Sequence, residues 1–199
     1  MASIEELRAE RIKKLEALRS KGASSYPSTS SRTHELCAVL KDFVLLESNE
    51  TPLVVTGRVM SSRGQGAISF FDLYDGSARL QAVIKLPESG DEAMQFYREY
   101  VDVGDFIEVD CTAFTTKSGQ ESVLVSGVRM LSKSLLPLPD KYHGIQDEEL
   151  RMRERYLDIL TNQELREVFF KKAKFWDVVR GFLKEKGFLE VETPTIEVT

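Results

Sequence analysis

The chain has 199 residues, of which 42% are hydrophobic and 30% charged, a balance found in folded globular proteins and not in disordered ones. No run approaches the roughly 18 apolar residues of a membrane-spanning helix, and the N-terminus is charged from Glu5 onward with no apolar leader core, so a cytoplasmic protein without a membrane partner is expected. Only Cys37, Cys111, His34 and His143 offer sulfur or imidazole, without a Cys-x-x-Cys pair, so neither a disulfide framework nor a zinc site of familiar spacing is expected.

The net charge of -5 is unevenly spread. Residues 1–51 hold 8 basic and 8 acidic side chains, residues 52–132 hold 7 and 11, and residues 133–199 hold 12 and 13. The acidic middle segment cannot attract a polyanion mainly through phosphate, so any nucleic acid it binds must be read through its bases.

In chain order, Ser3 followed by Glu6 has the form of a capping box, and Ile4, Leu7, Ile12, Leu15 and Leu18 recur at helical spacing up to Gly22. This predicts a helix over 3–21 whose other face carries Arg8, Arg11, Lys14 and Lys21. That face is either solvated or laid along an RNA backbone through Arg8, Arg11 and Lys14. The Ser- and Thr-rich stretch 23–32, with Pro27, reads as a loop.

From Leu53 the period changes to two. Leu53 to Val59, Ile68 to Leu73 and Ala78 to Lys85 alternate as strands, with Asp75-Gly76 as the turn between the last two. A polar helical piece follows over 91–100, then strands over 106–114 and 121–130 joined at Lys117-Ser118-Gly119. Three strands, a helix and two strands in about eighty residues is the order of an OB-fold, a small Greek-key barrel. A loop at Asp75-Gly76 with an even number of residues would set Phe70 against Gln81, Asp72 against Arg79 and Ile68 against Val83 on one side, with Phe71 against Leu80 and Leu73 against Ala78 on the other. One side is then a core face. The other shows Phe70 beside Gln81, with Arg63 seven residues earlier, a ring to stack on a base and polar groups to read its edge. The alternative is that Phe70 packs under the N-terminal helix or a loop.

Pro137 and Pro139 mark a linker over 133–145. Beyond it 146–160 is charged and helical, Thr161 with Glu164 has the form of a second capping box, and Val168 through Leu183 gives a long apolar face ending at Gly187. Phe188 to Val191 reads as a short strand. So much apolar surface requires a partner, so the segment is expected to be incomplete or completed by another copy.

Several stretches carry a resemblance. Pro137-Leu-Pro-Asp-Lys-Tyr-His-Gly144, continuing to Arg153-Glu-Arg-Tyr-Leu-Asp158, resembles the junction between anticodon-binding and catalytic domains of class II lysyl-tRNA synthetases. Gly187-Phe-Leu-Glu-Val-Glu-Thr-Pro194 is similar to the class II motif 1 strand, and Arg11-Ile-Lys-Lys-Leu-Glu-Ala-Leu-Arg19 with Gly22 and Tyr26-Pro27 is similar to the family's N-terminus. Arg-Tyr-Leu-Asp and motif 1 are shared with aspartyl and asparaginyl enzymes, whereas Lys-Tyr-His-Gly points to the lysyl branch.

The resemblance implies an α+β chain: a helical extension over 1–51, a five-stranded OB-fold anticodon-binding barrel over 52–132, the linker, and over 146–199 the helical start of a class II catalytic domain. It implies that Phe70 stacks on the central anticodon base of tRNA-Lys, that Gln81 and Glu121 read bases, and that Arg58 and Arg63 make basic contacts. It further implies a homodimer interface at Phe175, Val179 and Pro194. The absence of a long Lys-rich extension suggests the bacterial type. In the family ATP and Mg2+ activate lysine for transfer to tRNA. Motifs 2 and 3 lie beyond Thr199 in such enzymes, so this chain is expected to bind tRNA without catalysis, holding no catalytic residue, metal or cofactor of its own. Three other readings remain, the N-terminal portion of an aspartyl or asparaginyl enzyme, a stand-alone OB protein for single-stranded nucleic acid, and a protein-interaction module using Phe70 and Gln81.

Overall fold

In a computed structural model, residues 3–139 and 144–193 are described, and the chain divides into two compact units between Pro137 and Leu138. That division falls within 133–145, and residues of 1–51 share one core with the barrel.

Helix α1 spans Ile4–Ser20 and starts as expected, with Ser3 Oγ accepting from the Glu6 amide at 3.1 Å and the Glu6 carboxylate accepting from the Ser3 amide at 2.7 Å. Its buried stripe is Arg11, Leu15 and Leu18, while Ile4 and Leu7 stay exposed. Two short helices unread in the sequence follow, α2 at Leu36–Lys41 and α3 at Phe43–Ser48. Leu36, Val39, Phe43 and Leu46, three and four residues apart, enter the same core as the barrel.

The barrel strands are β1 at Leu53–Gln65, β2 at Ile68–Tyr74, β3 at Arg79–Lys85, β4 at Phe106–Thr115 and β5 at Glu121–Ser132, with helix α4 at Asp91–Tyr100 between β3 and β4. The ring runs β1-β2-β3-β5-β4 and closes through the β1–β4 pairing, every pair antiparallel except β3–β5. Inward side chains alternate along each strand, among them Val55, Phe71, Leu80, Val109 and Val123, all nearly inaccessible. Phe71 stacks on Tyr97 of α4, the ring centroids 4.5 Å apart.

The β2–β3 register differs from the expected one by two residues. Phe70 pairs with Val83, Asp72 with Gln81, Leu73 with Leu80 and Tyr74 with Arg79. The cause is the Asp75 side chain, which accepts from the Ser77 and Ala78 amides and from Ser77 Oγ, and so closes a four-residue loop, even in number as expected but centred one residue beyond Asp75-Gly76. Its other oxygen accepts from the Leu36 amide at 2.9 Å, tying the loop to α2. A slip of two keeps every side chain on its expected face.

In the second unit α5 spans Glu148–Arg153, α6 Arg155–Thr161 and α7 Gln163–Glu185. Asp158 of the Arg-Tyr-Leu-Asp stretch is buried and accepts from Arg151 and Arg155. The cap of α7 is Asn162, which accepts from the Leu165 amide, while Thr161 Oγ1 donates back to the Leu157 carbonyl; the capping box expected at Thr161 and Glu164 is therefore not formed. No strand forms over 188–191, since a strand needs a paired backbone and none among the described residues pairs with it.

Candidate nucleic-acid interface

The outward face of β1, β2 and β3 gathers most of the expected base-reading residues. Because Phe71 and Leu73 point into the core, Phe70 and Asp72 point out of it, and Phe70 is left half-exposed. Strand β1 has a register shift between Val59 and Ser61 that re-aims its second half, so that Arg63 falls opposite Phe70. The Arg63 guanidinium lies 5.6 Å from the Phe70 ring centroid. One row further along, Ser61 donates to Asp72 at 2.7 Å.

Gln81 stands opposite Asp72 on one side and opposite Ser122 of β5 on the other. Although on the outer face it is buried, and Ser122 Oγ donates to its side-chain carbonyl at 3.0 Å. This contact fixes the amide plane and leaves its nitrogen, which has no acceptor among the described residues, as the group able to donate to a base. Glu121 is the exposed first residue of β5, next to Ser122 in sequence, and it forms no ion pair among the described residues. Arg63, Phe70 and Gln81 thus share one surface, whereas Glu121, two residues before the inward Val123, has the opposite parity at the exposed start of β5.

Arg58 is not brought to it. Arg58 pairs with Tyr74, four residues along β2 from Phe70, or roughly 13 Å at 3.3 Å per residue. Its guanidinium donates to the Gly104 carbonyl and lies 4.2 Å from the Phe106 ring, so it serves the β1–β4 seam.

The basic helix is divided in the same way. Arg11 is buried and donates to the carbonyls of Ser134 at 3.0 Å, Leu136 at 2.9 Å and Val103 at 2.9 Å, and these bonds take the donors a phosphate would need. Lys14 is ion-paired with Asp102 at 2.6 Å, and Asp102 also receives the buried Lys133, which donates to Tyr100 and Asp105 as well. Burial alone would raise the Asp102 carboxyl, but Lys133 and Lys14 outweigh it and hold it below the usual carboxylate value. Arg11 and Lys14 therefore fasten α1 to the barrel, and only Arg8 of the three stays exposed. The corrections for Arg11, Lys14 and Arg58 have one origin, backbone and carboxylate acceptors that are distant in sequence.

In the second unit Phe175 is exposed and packs edge-on against Trp176, and Val179 is half-buried beside Trp176 and Leu183. Pro194 and His143 lie outside the described residues. His34 exchanges a hydrogen bond with Thr33 and has no carboxylate or nucleophile partner among the described residues. Among them, too, no group of three or more His, Cys, Asp or Glu is arranged to hold a metal ion, and no helix is long and apolar enough to cross a membrane.

Residues 53–131 match the model of the OB-fold nucleic acid binding domain, and residues 147–199 match that of the class II tRNA synthetases (D, K and N). The chain is 39% identical over 197 residues to a lysine–tRNA ligase of Dehalococcoides mccartyi, covering 97% of the chain and 39% of that protein. It is 41% identical over 195 residues to the lysine–tRNA ligase of Pelotomaculum thermopropionicum, and 40% identical over 195 residues to that of Roseiflexus sp., with 98% of the chain covered in each. It spans 38% and 40% of the length of those two proteins.

Proposed function

We propose that this chain, related to lysine–tRNA ligases along nearly its whole length, is the part of such a ligase that reads the anticodon of tRNA-Lys. The observation that carries the reading is the shared outward surface of Arg63, Phe70 and Gln81 on an OB barrel. Phe70 offers a face for a base to stack on, worth roughly 1 to 3 kcal/mol. The Gln81 nitrogen donates to a uracil carbonyl, and the Glu121 carboxylate accepts from uracil N3–H; cytosine turns a lone pair toward it at that atom. A barrel segment with 7 basic and 11 acidic residues is suited to this mode, because it gains little from phosphate alone.

The longer ligase would join lysine to ATP and transfer it to tRNA in the cytoplasm as a homodimer, the apolar side of α7 with Phe175 and Val179 lying at the subunit contact. This chain's share is binding without catalysis. ATP and Mg2+ would act in the longer protein.

Titration of a tRNA-Lys anticodon stem-loop, beside one with the central U replaced by C, at fixed salt, tests the reading. A preference for U of roughly 1 to 3 kcal/mol, lost in Phe70→Ala, is expected. Equal affinity for both loops would overturn it.

A further inference from the structure

We propose that Phe114 and Lys85 form a second base-stacking subsite on the barrel, which takes the nucleotide next to the one on Phe70. The inference rests on the anticodon-reading function and adds a position to it. Phe114 lies on the outer face of β4, since its neighbour Ala113 and also Cys111 point inward and are buried. It pairs with Ser122, the residue that holds Gln81 from the other side. Its ring centroid comes within 5.7 Å of Lys85 Nζ on β3, so the ring leans back across β5 toward the Gln81–Val83 strip.

Phe70 borders that strip from β2, where it pairs with Val83. The strip between the rings is a floor, with Val83 and Gln81 both buried although they face outward. The pairing Phe70–Val83–Leu124–Thr112 crosses three strand spacings, roughly 14 Å from β2 to β4 at about 4.8 Å each. That width holds more than one nucleotide, and each edge has the same make-up, a half-exposed phenylalanine with a cation near its face. A further pair on the barrel, Arg58 with Phe106, differs in that its guanidinium, 4.2 Å from the ring, also donates to the Gly104 carbonyl. Among the described residues Lys85 is ion-paired with Glu88 alone, at 3.1 Å, a partly exposed contact that a phosphate can replace at little cost.

The test uses the full chain with tRNA-Lys anticodon stem-loops, intact or with one anticodon nucleotide made abasic. Phe114→Leu should weaken the intact loop by roughly 5- to 100-fold, and this loss should vanish for a single abasic position adjacent to the one that cancels the Phe70→Leu loss. Phe114→Tyr, which keeps a stacking face, should restore binding. If Phe70→Leu weakens binding and Phe114→Leu does not, the second subsite is overturned while the function stands. A Phe114→Leu loss that persists with every abasic loop also overturns it, because the ring would then support the fold. If neither substitution matters, the anticodon-reading function itself has failed.

Discussion

Replacing Arg11 by methionine separates the two roles open to the basic helix. The substitution keeps the unbranched stem and removes three charge-assisted hydrogen bonds of 2.9 to 3.0 Å to Ser134, Leu136 and Val103. Such bonds contribute about 1.5 to 3 kcal/mol each when fully buried. These carbonyls are only partly buried and regain some water, so about 1 kcal/mol each, or about 3 kcal/mol in all, is the expected loss. For a unit of this size that corresponds to a melting temperature lower by about 10 °C. At a temperature where the variant is folded, its stem-loop affinity and its salt dependence should equal those of the parent chain. Melting followed by circular dichroism, with titrations at several salt concentrations, reads both. A melting temperature changed by less than about 2 °C, with a salt slope shallower by about 0.7 to 0.9, would refute the fastening role and return Arg11 to the phosphate backbone.

Acid should destabilise the first unit in a definite window. Burial would raise the Asp75, Asp102 and Glu108 carboxyls, but the amides and Ser77 at Asp75, the lysines at Asp102, and Ser30, Ser31 and Arg129 at Glu108 pull all three below their ordinary values. With folded values below unfolded ones, the unfolded chain binds more protons in acid, so their stabilisation is complete above about pH 4.5 and disappears as the pH falls through the depressed values. Melting temperature against pH should decline there less steeply in Asp102→Asn, and identical slopes would refute the assignment. Burial, helped by Asp110, pushes the Cys111 thiol to about 12, whereas Cys37 is exposed, so a thiol reagent at pH 8 should label one cysteine quickly and the second only after denaturation. Two equally fast thiols would show that the β1–β4 seam opens. Gly64→Ala would place a methyl carbon 2.7 Å from the Ile68 carbonyl oxygen and 2.8 Å from Ser69 Cα, so β1 and β2 must part beside Arg63 and Phe70. Both stability and stem-loop affinity should fall, by about 1 to 3 kcal/mol in stability, and an unchanged melting temperature would argue against the pairing.

The face of each barrel residue was legible because a period of two survives any even slip, so Phe70 points outward in the expected register and in the observed one alike. The register itself depended on how Asp75 uses its carboxylate, and the expected pairing rested on centring an even loop on the Asp-Gly pair. The spacing of Leu36, Val39, Phe43 and Leu46 was present in the chain but interrupted by Asp42, which separates two helices too short to show a period singly. Arg11 stands at the head of the stripe it forms with Leu15 and Leu18, and its charge argued for the opposite face. The acceptors that make it an inward residue lie 92 to 125 positions away, and a carbonyl oxygen leaves no mark on sequence.

Phe114 illustrates the same limit from the functional side. As the last residue of an alternating run it carried only its parity, and nothing nearby in sequence linked it to Gln81. That link runs through Ser122, which β5 places between the two by pairing parallel to β3 and antiparallel to β4. The proposed base-reading surface is therefore visible in sequence only where its members share a hairpin, as Phe70 and Gln81 do. The members contributed by strands that meet through barrel closure emerge only with the fold.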